Sequence, residues 1–291
     1  MQKKLLQFIC CPACKHELLL RQNQLICSRC KKTYKIDKGI PILIDLKNAP
    51  QYLAHQISYF ENEDKTRPEY RLDEWQKSYL RRFFDNVYVS KESVVLDIGT
   101  GSAYMAVELA KRGTTVIASD LTVAQLHKLA KAVKENKLES QLLLVCCSAE
   151  SLPFKTKIAN VVIENALLEH LSKEKDAIEE IARICKKSAS VMISVPLAYK
   201  QLWPFLIPIN IWHDKRIGHL RRYTASSLKK KMSQFTFKRI YYTGHILKFL
   251  FFLSSFIIKT KKFDSFAERT DEICKAVPYG GTVITAFFSK K

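Results

Sequence analysis

Four cysteines near the start of the chain, Cys11, Cys14, Cys27 and Cys30, form two Cys-x-x-Cys pairs with twelve residues between them. No other feature restricts the local fold as severely. Each pair is a knuckle whose two thiolates can face one ion, and two knuckles joined by a hairpin supply the four-sulfur tetrahedron that zinc favours. The spacer has hairpin character: Glu17–Leu20 and Gln24–Ile26 flank a polar turn at Gln22-Asn23. The stretch from Tyr34 to Ile44 turns at Gly39 and then runs apolar. Cys10 competes with Cys11, but the Cys-Pro-x-Cys form favours Cys11. Four free buried cysteines are the competing reading. With thiolates in all four positions no place remains for water, so the zinc is expected to be structural. A module of about 45 residues cannot stabilise itself by core burial alone, which gives the metal a role in folding.

The other cysteines are scattered through apolar contexts such as Val145-Cys146-Cys147, and the chain reaches Cys10 before a signal-peptide apolar stretch could form. A reducing, cytoplasmic compartment is therefore expected. The longest apolar run, Phe249 to Ile258, is shorter than the roughly 20 residues that span a bilayer. Apolar residues at 47% and charged ones at 26% mark a folded chain and exclude a disordered one. A net charge of +20 favours an anionic partner, either RNA or an acidic membrane surface.

Beyond residue 46 the pattern changes. Residues 47–72 are polar and punctuated by proline, and read as a linker with a lead-in helix. From Asp73 to Val89 apolar residues recur at helical spacing. Short apolar runs then alternate with helical stretches: strands at Val94–Ile98, Thr115–Ser119, Leu142–Cys146, Val161–Glu164 and Ser190–Val195, helices at Ala103–Arg112 and Thr122–Lys137. That alternation predicts an α/β fold, a doubly wound sheet across residues 73–291, with Phe237–Tyr242 and Thr282–Phe288 as a closing antiparallel pair. The first crossover holds the chemistry. Gly99 and Gly101 let the backbone approach a ligand at the carboxyl end of a strand, and Asp120, ending the next strand, can accept both hydroxyls of a ribose. A nicotinamide fold is the alternative, although the glycines do not complete the usual dinucleotide spacing.

The two-knuckle pattern, followed by an aromatic residue, a Gly-Ile-Pro and an aliphatic run, resembles the small zinc-ribbon activator of tRNA and protein methyltransferases, over about residues 8–46. That ribbon also occurs fused to methyltransferase domains. Residues 70–291 resemble class I S-adenosylmethionine-dependent methyltransferases of the type 11 group, whose Rossmann-like sheet has seven strands. The resemblance implies S-adenosylmethionine as cofactor. Asp97-Ile-Gly-Thr-Gly101 matches the motif around the methionine moiety, with Ala103 in place of a third glycine, and Asp120 matches the ribose carboxylate. Leu144 to Phe154 matches the segment over the adenine; Ser148 and Ala149 fall there, with Ser148 where an Asp is usual. Ala159 to Leu171 matches the fourth strand and the Leu-Glu-His-Leu start that follows it, which brings Asn165 to the cofactor and puts Asn160 in place of another Asp.

The acceptor side is expected after Val195-Pro196. Residues 202–212 are apolar and interrupted by Pro204 and Pro208, which reads as a non-helical wall or lid. The string from Gly218 to Thr224 resembles the element after the fifth strand of methyltransferases that act on small or lipid-linked substrates. On that resemblance His219 and Tyr223 are site candidates, and Arg222 reads equally as a site residue or as part of a solvated basic turn; His213, Asp214 and His219 could supply a general base, which adds His213 to His219 and Tyr223 as catalytic candidates. Thr224 reads equally as the cap of a helix over Ser226–Gln234. Glu169 and His170 read as capping residues, with direct catalysis as the alternative. Metal-using quinone O-methyltransferases place another Glu where this chain has Ala166, which argues against magnesium. Residues 246–258 with their basic flank read as a core helix or an interfacial one. The expected acceptor is thus a small or lipid-linked molecule, with peripheral contact at the inner membrane face. RNA methylation and a non-catalytic scaffold stay open, and no segment demands an obligate protein partner.

Overall fold

The computed structural model describes residues 3–44, 51–66, 70, 72–245 and 261–291. The apolar 246–258 stretch lies outside the described residues, and so does most of the polar segment between residues 45 and 50.

A four-stranded antiparallel sheet opens the chain, in the order β1 (Leu18–Arg21), β2 (Gln24–Cys27), β3 (Thr33–Asp37) and β4 (Ile40–Pro41). The β1–β2 turn places both Gln22 (φ 43°) and Asn23 (φ 63°) in left-handed backbone, the twist that a two-residue hairpin demands. It brings the knuckles together. The Sγ atoms of Cys11 and Cys30 lie 3.7 Å apart, those of Cys14 and Cys27 3.4 Å apart, and all four within 4.8 Å of one another. A tetrahedron of Zn–S bonds of about 2.3 Å has edges of about 3.8 Å, so the donor set fits zinc and is too open for disulfides.

This ribbon is welded to the rest of the chain. Cys10 N donates to the Pro153 carbonyl, Lys155 N to Phe8 and Leu43 N to Cys146, each at 2.8 Å. The last of these bonds meets the end of β7 (Leu142–Cys146), the edge strand of the large sheet, whose order is β10-β11-β9-β8-β5-β6-β7; the other two hold the segment that follows β7. Apolar burial follows the same line: Leu5, Ile9, Leu25 and Leu43 share one core with Leu143, Val145, Phe154 and Ile178. Lys15 adds an ion pair to Glu180 at 2.7 Å.

The large sheet matches the seven-stranded expectation. Its parallel strands are β5 (Val94–Ile98), β6 (Thr115–Asp120), β7, β8 (Ala159–Asn165) and β9 (Cys185–Pro196). β10 (Phe235–Thr243) and β11 (Val283–Lys290) complete it, with β11 running antiparallel between β9 and β10. Helices α2 (Glu74–Asn86), α3 (Tyr104–Lys111) and α4 (Val123–Glu135) bury one face; α5 (Glu174–Ile184) and the ribbon bury the other. Ahead of them α1 (Gln51–Thr66) occupies the segment expected as linker and lead-in helix.

The apolar insertion departs from expectation. A short 3-10 turn at Pro204–Leu206 leads directly into a helix, α6 (Ile207–Ile217). Both prolines sit in first-turn positions, where the missing N–H would have no helical partner, so they start helices instead of breaking them. Gly218 (φ 75°) ends α6 in left-handed backbone. Thr224 caps α7 (Ala225–Lys231), exchanging hydrogen bonds with Ser227. Near the C-terminus α8 (Lys261–Ile273) packs on α2.

Because ribbon and sheet share a core, zinc should stabilise the whole chain. Purified protein is expected to carry one zinc by elemental analysis. Cys27→Ser should lose it and lower the melting temperature of a single transition. Full zinc content in a Cys11/Cys14/Cys27/Cys30 quadruple serine variant would refute the assignment.

Candidate active site

A cavity of about 460 Å³ opens at the carboxyl ends of β5, β6, β7 and β8. Strand order reverses at β5, and open parallel sheets bind ligands at that reversal. Asp97, Gly99, Gly101, Asp120, Ser148, Ala149 and Asn165 all line it.

The glycine turn shapes the floor. Gly99 (φ 68°) and Gly101 (φ 49°) are left-handed, and a Cβ on Gly99 would meet Leu167 at 3.1 Å. Ala103 closes the turn at φ 55° and is fully buried. Alanine adopts that backbone at a cost of roughly 1–2 kcal/mol. Asp97 is buried and accepts from the Thr100 hydroxyl at 2.7 Å. Burial pushes its carboxyl up to about 6, the Thr100 hydrogen bond opposing and the nearby Asp120 charge adding. Asp120 accepts from Gly101 N at 3.0 Å and Thr122 N at 3.1 Å, which sets its carboxylate at the cavity wall. Ser148 Oγ accepts from Glu150 N and caps a 3-10 turn, so the residue that replaces the usual Asp has a local structural duty. Asn165 donates to the Tyr104 hydroxyl at 3.3 Å.

The opposite end holds histidines. His170, His213 and His219 line the cavity with Ile217, and α1 contributes Gln56, Tyr59 and Phe60. These α1 residues were not among the sequence candidates, although their i, i+3, i+4 spacing marks one helix face. His219 Nδ1 pairs with Asp214 Oδ1 at 2.9 Å. Arg222 grips the same carboxylate through Nε at 2.6 Å and Nη2 at 2.8 Å, and also bonds Asn210 and the Leu197 carbonyl. Arg222 and Asp214 therefore position α6 and His219 from behind the cavity. Burial lowers the His219 imidazole below its ordinary pKa despite the Asp214 charge, which keeps the ring neutral.

Tyr223 is placed elsewhere. It is 1% exposed, its hydroxyl donates to Glu174 at 2.7 Å, and it is absent from the cavity wall. Alternation along the extended segment that carries it turns its ring to the core. Two buried acids were not recognised as a pair. Glu164 ends β8 and accepts from Leu167 N and Leu168 N, with burial raising its carboxyl to about 8. Glu169 is pushed well above the ordinary range by burial and by Glu164.

Relief of the strained turn gives a direct check. Ala103→Gly should stabilise the chain by about 1 kcal/mol in denaturant unfolding, since glycine adopts the left-handed backbone freely. A destabilised variant would show that packing of the Ala103 methyl outweighs the backbone strain.

Known proteins resemble the two parts separately. A family profile described as "Methyltransferase domain" matches residues 96–193, and one described as "Trm112p-like protein" matches residues 2–39. A UPF0434 protein of Shewanella piezotolerans is 46% identical over 50 residues, 16% of this chain and 88% of that protein. The biotin biosynthesis bifunctional protein BioHC of Cellvibrio japonicus is 28% identical over 100 residues; the match covers 34% of this chain and only 19% of that protein. Geranyl diphosphate C-methyltransferase from Streptomyces coelicolor superposes with a TM-score of 0.60 at 13% identity, over 84% of this chain and 99% of that one. Sheet order, glycine turn, strand-end acids and the four-cysteine cluster agree with these likenesses, and the chain is a class I S-adenosylmethionine-dependent methyltransferase domain joined to an N-terminal Trm112p-like zinc ribbon.

Proposed function

We propose that this chain methylates an oxygen, nitrogen or carbon atom of a small or lipid-linked acceptor, with Asp97, Gly99, Gly101, Asp120, Ser148, Ala149 and Asn165 holding the cofactor. The observation that carries this reading is one continuous cavity joining those residues to His170, His213 and His219. In this reading residues 1–46 are the ribbon and 73–291 the catalytic domain, while α1 walls the cavity from within 47–72.

S-adenosylmethionine supplies an already activated methyl group, so the protein's main task is alignment. Asp120 would accept the two ribose hydroxyls, and ionised Asp97 would pair with the ammonium of the methionine part. Gly99 and Gly101 let the backbone lie close to that ligand. Tyr59 and Phe60 of α1 exclude water from above the acceptor. His213, exposed at the cavity mouth, is placed to take a proton at an imidazole nitrogen when the acceptor is a neutral hydroxyl or amine.

The acceptor class is argued from α6. One side of this helix sends His213 and Ile217 to the cavity, while Ile209 and Trp212 stand outward, Trp212 61% exposed, beside Phe205 at 59%. Exposed aromatic groups on and just before the helix that lines the cavity, with Lys215 and Arg216 following, suit an apolar acceptor presented at an anionic surface. Among the described residues no helix is long and apolar enough to cross a membrane. RNA methylation is the second reading, favoured by the net charge of +20.

Asp120→Ala should weaken S-adenosylhomocysteine binding at least tenfold by calorimetry, since hydrogen bonds to a charged group contribute roughly 1.5–3 kcal/mol each. Asp97 adds a pH signature. Its raised carboxyl lets the folded apo state keep a proton that the unfolded state releases, so apo stability falls as pH rises from the ordinary carboxylate range towards 6. Ligand affinity should rise over that same window, because pairing with the ammonium needs the ionised form. Asp97→Asn should flatten both profiles. Unchanged affinity in Asp120→Ala would overturn the cofactor assignment.

Phe205→Ser combined with Trp212→Ser separates the acceptor classes. Wild-type binding to anionic vesicles should survive moderate salt and fall in the double variant, since salt screens charge but not apolar burial. Vesicle binding equal in both proteins, with methyl transfer to RNA, would establish the second reading.

A further inference from the structure

At the acceptor end of the cavity, Glu169, His170 and His219 each present one donor atom, all within 4.8 Å of one another. Glu169 is 1% exposed, and neither of its carboxylate oxygens accepts a hydrogen bond among the described residues. Its ion-pair partner is His219 Nε2, at 3.7 Å. A carboxylate is buried in this condition only at a large cost unless it stays protonated or meets a cation. Hydrogen-bonded capping, the role expected for Glu169 from sequence, is not what its side chain does.

A second observation concerns His219. Its Nδ1 is committed to Asp214, itself clamped by Arg222, so Nε2 is the nitrogen turned towards Glu169. An imidazole oriented by an outer carboxylate through one nitrogen, with the other free to donate, is the arrangement found around metal-bound histidines. The backbone holds the two contributing segments together. Leu220 N donates to the Glu169 carbonyl at 2.8 Å, and Arg221 Nη1 to the Leu168 carbonyl at 3.2 Å. The rings of His170 and His219 meet edge to face with centroids 4.7 Å apart. The donor group is thus assembled by its surroundings, with no contribution from the ribbon cysteines.

We propose that Glu169, His170 and His219 form a second metal site, a two-histidine, one-carboxylate set for a divalent transition ion at the acceptor end of the cavity. Two imidazoles and one carboxylate suit zinc, iron, manganese or cobalt better than magnesium, which takes oxygen donors. Ala166 offers no further acidic donor, in keeping with that preference. Three protein donors leave coordination positions open. Since His170 and His219 line the cavity, those positions would receive an oxygen of the methyl acceptor and fix it for transfer. This deepens the methyltransferase reading and rests on it for the acceptor's role.

Full-length protein with its ribbon zinc in place would be dialysed against Co²⁺, and both metals counted by elemental analysis. The proposal expects one zinc and one additional cobalt per chain, with weak ligand-field absorption and without the intense thiolate charge-transfer bands that cobalt in the ribbon would show. Glu169→Gln and His219→Gln should each weaken cobalt binding at least tenfold while zinc content and S-adenosylhomocysteine affinity stay at wild-type level. Should Glu169→Gln fail to fold, His219→Gln, on the cavity wall, decides the matter. Wild type that takes up no cobalt beyond exchanged zinc overturns the site, as does cobalt binding unchanged in the folded variants. Loss of S-adenosylhomocysteine binding by wild type strikes the functional reading instead, so the two failures are distinguishable.

Discussion

The backbone pairing between the ribbon and the β7 edge is the constraint on which the rest of this structure depends. β7 is apolar and buried, and an edge strand of that kind left open would expose unpaired amides and an aggregation-prone face. Leu43 N bonds its last residue, Cys146, while the Cys10–Pro153 and Lys155–Phe8 bonds tie the segment after it to the ribbon, and Leu5, Ile9 and Leu43 cover the apolar side. The segment that follows β7 is thereby held at both ends, and it contains Ser148 and Ala149 of the cavity wall. Four thiolates hold the ribbon, and the ribbon holds that wall. The four-cysteine cluster, which does not line the cavity, therefore bears on the shape of its wall.

Within the pocket, stability is surrendered at a few definite points. Ala103 keeps a left-handed backbone that glycine would adopt more easily, and Asp97 is buried with one hydroxyl for company. Both lie where a ligand must come close to the chain. Strained backbone and buried charge of this kind cluster at functional sites.

The histidine end of the cavity is organised by a buried ion pair. Arg222 and Asp214 satisfy one another, tie α6 to the end of β9 through the Leu197 carbonyl, and leave Asp214 free to orient His219. A buried pair of this type contributes little net stability over an apolar replacement, but it fixes one arrangement among many. Burial raises the carboxyls of Glu164 and Glu169 in the same region, Glu164 with two backbone donors and Glu169 without a hydrogen bond among the described residues.

Much of this was legible in the residues themselves. The Cys-x-x-Cys pairs, the polar hairpin turn between them, the β5 and β7 boundaries and the Gly99–Gly101 turn follow from local pattern: short continuous apolar runs, positive φ at glycine, ligand spacing. The seven-stranded sheet followed from alternation of strands and helices together with the resemblance. What depended on long-range packing was not legible. Pro208 could break a helix or begin one, and its place in the first turn, after the buried Leu206, makes it begin α6. Tyr223 was a candidate because its string resembles a methyltransferase element, but the core takes its ring. His219 is some fifty residues from Glu169 and His170, and the bonds from Leu220 and Arg221 to the Glu169 and Leu168 carbonyls bring the two segments together. Local sequence determines which conformations each segment can adopt; tertiary packing decides which side chains face each other, because that choice depends on where buried area and unpaired polar groups can be satisfied together.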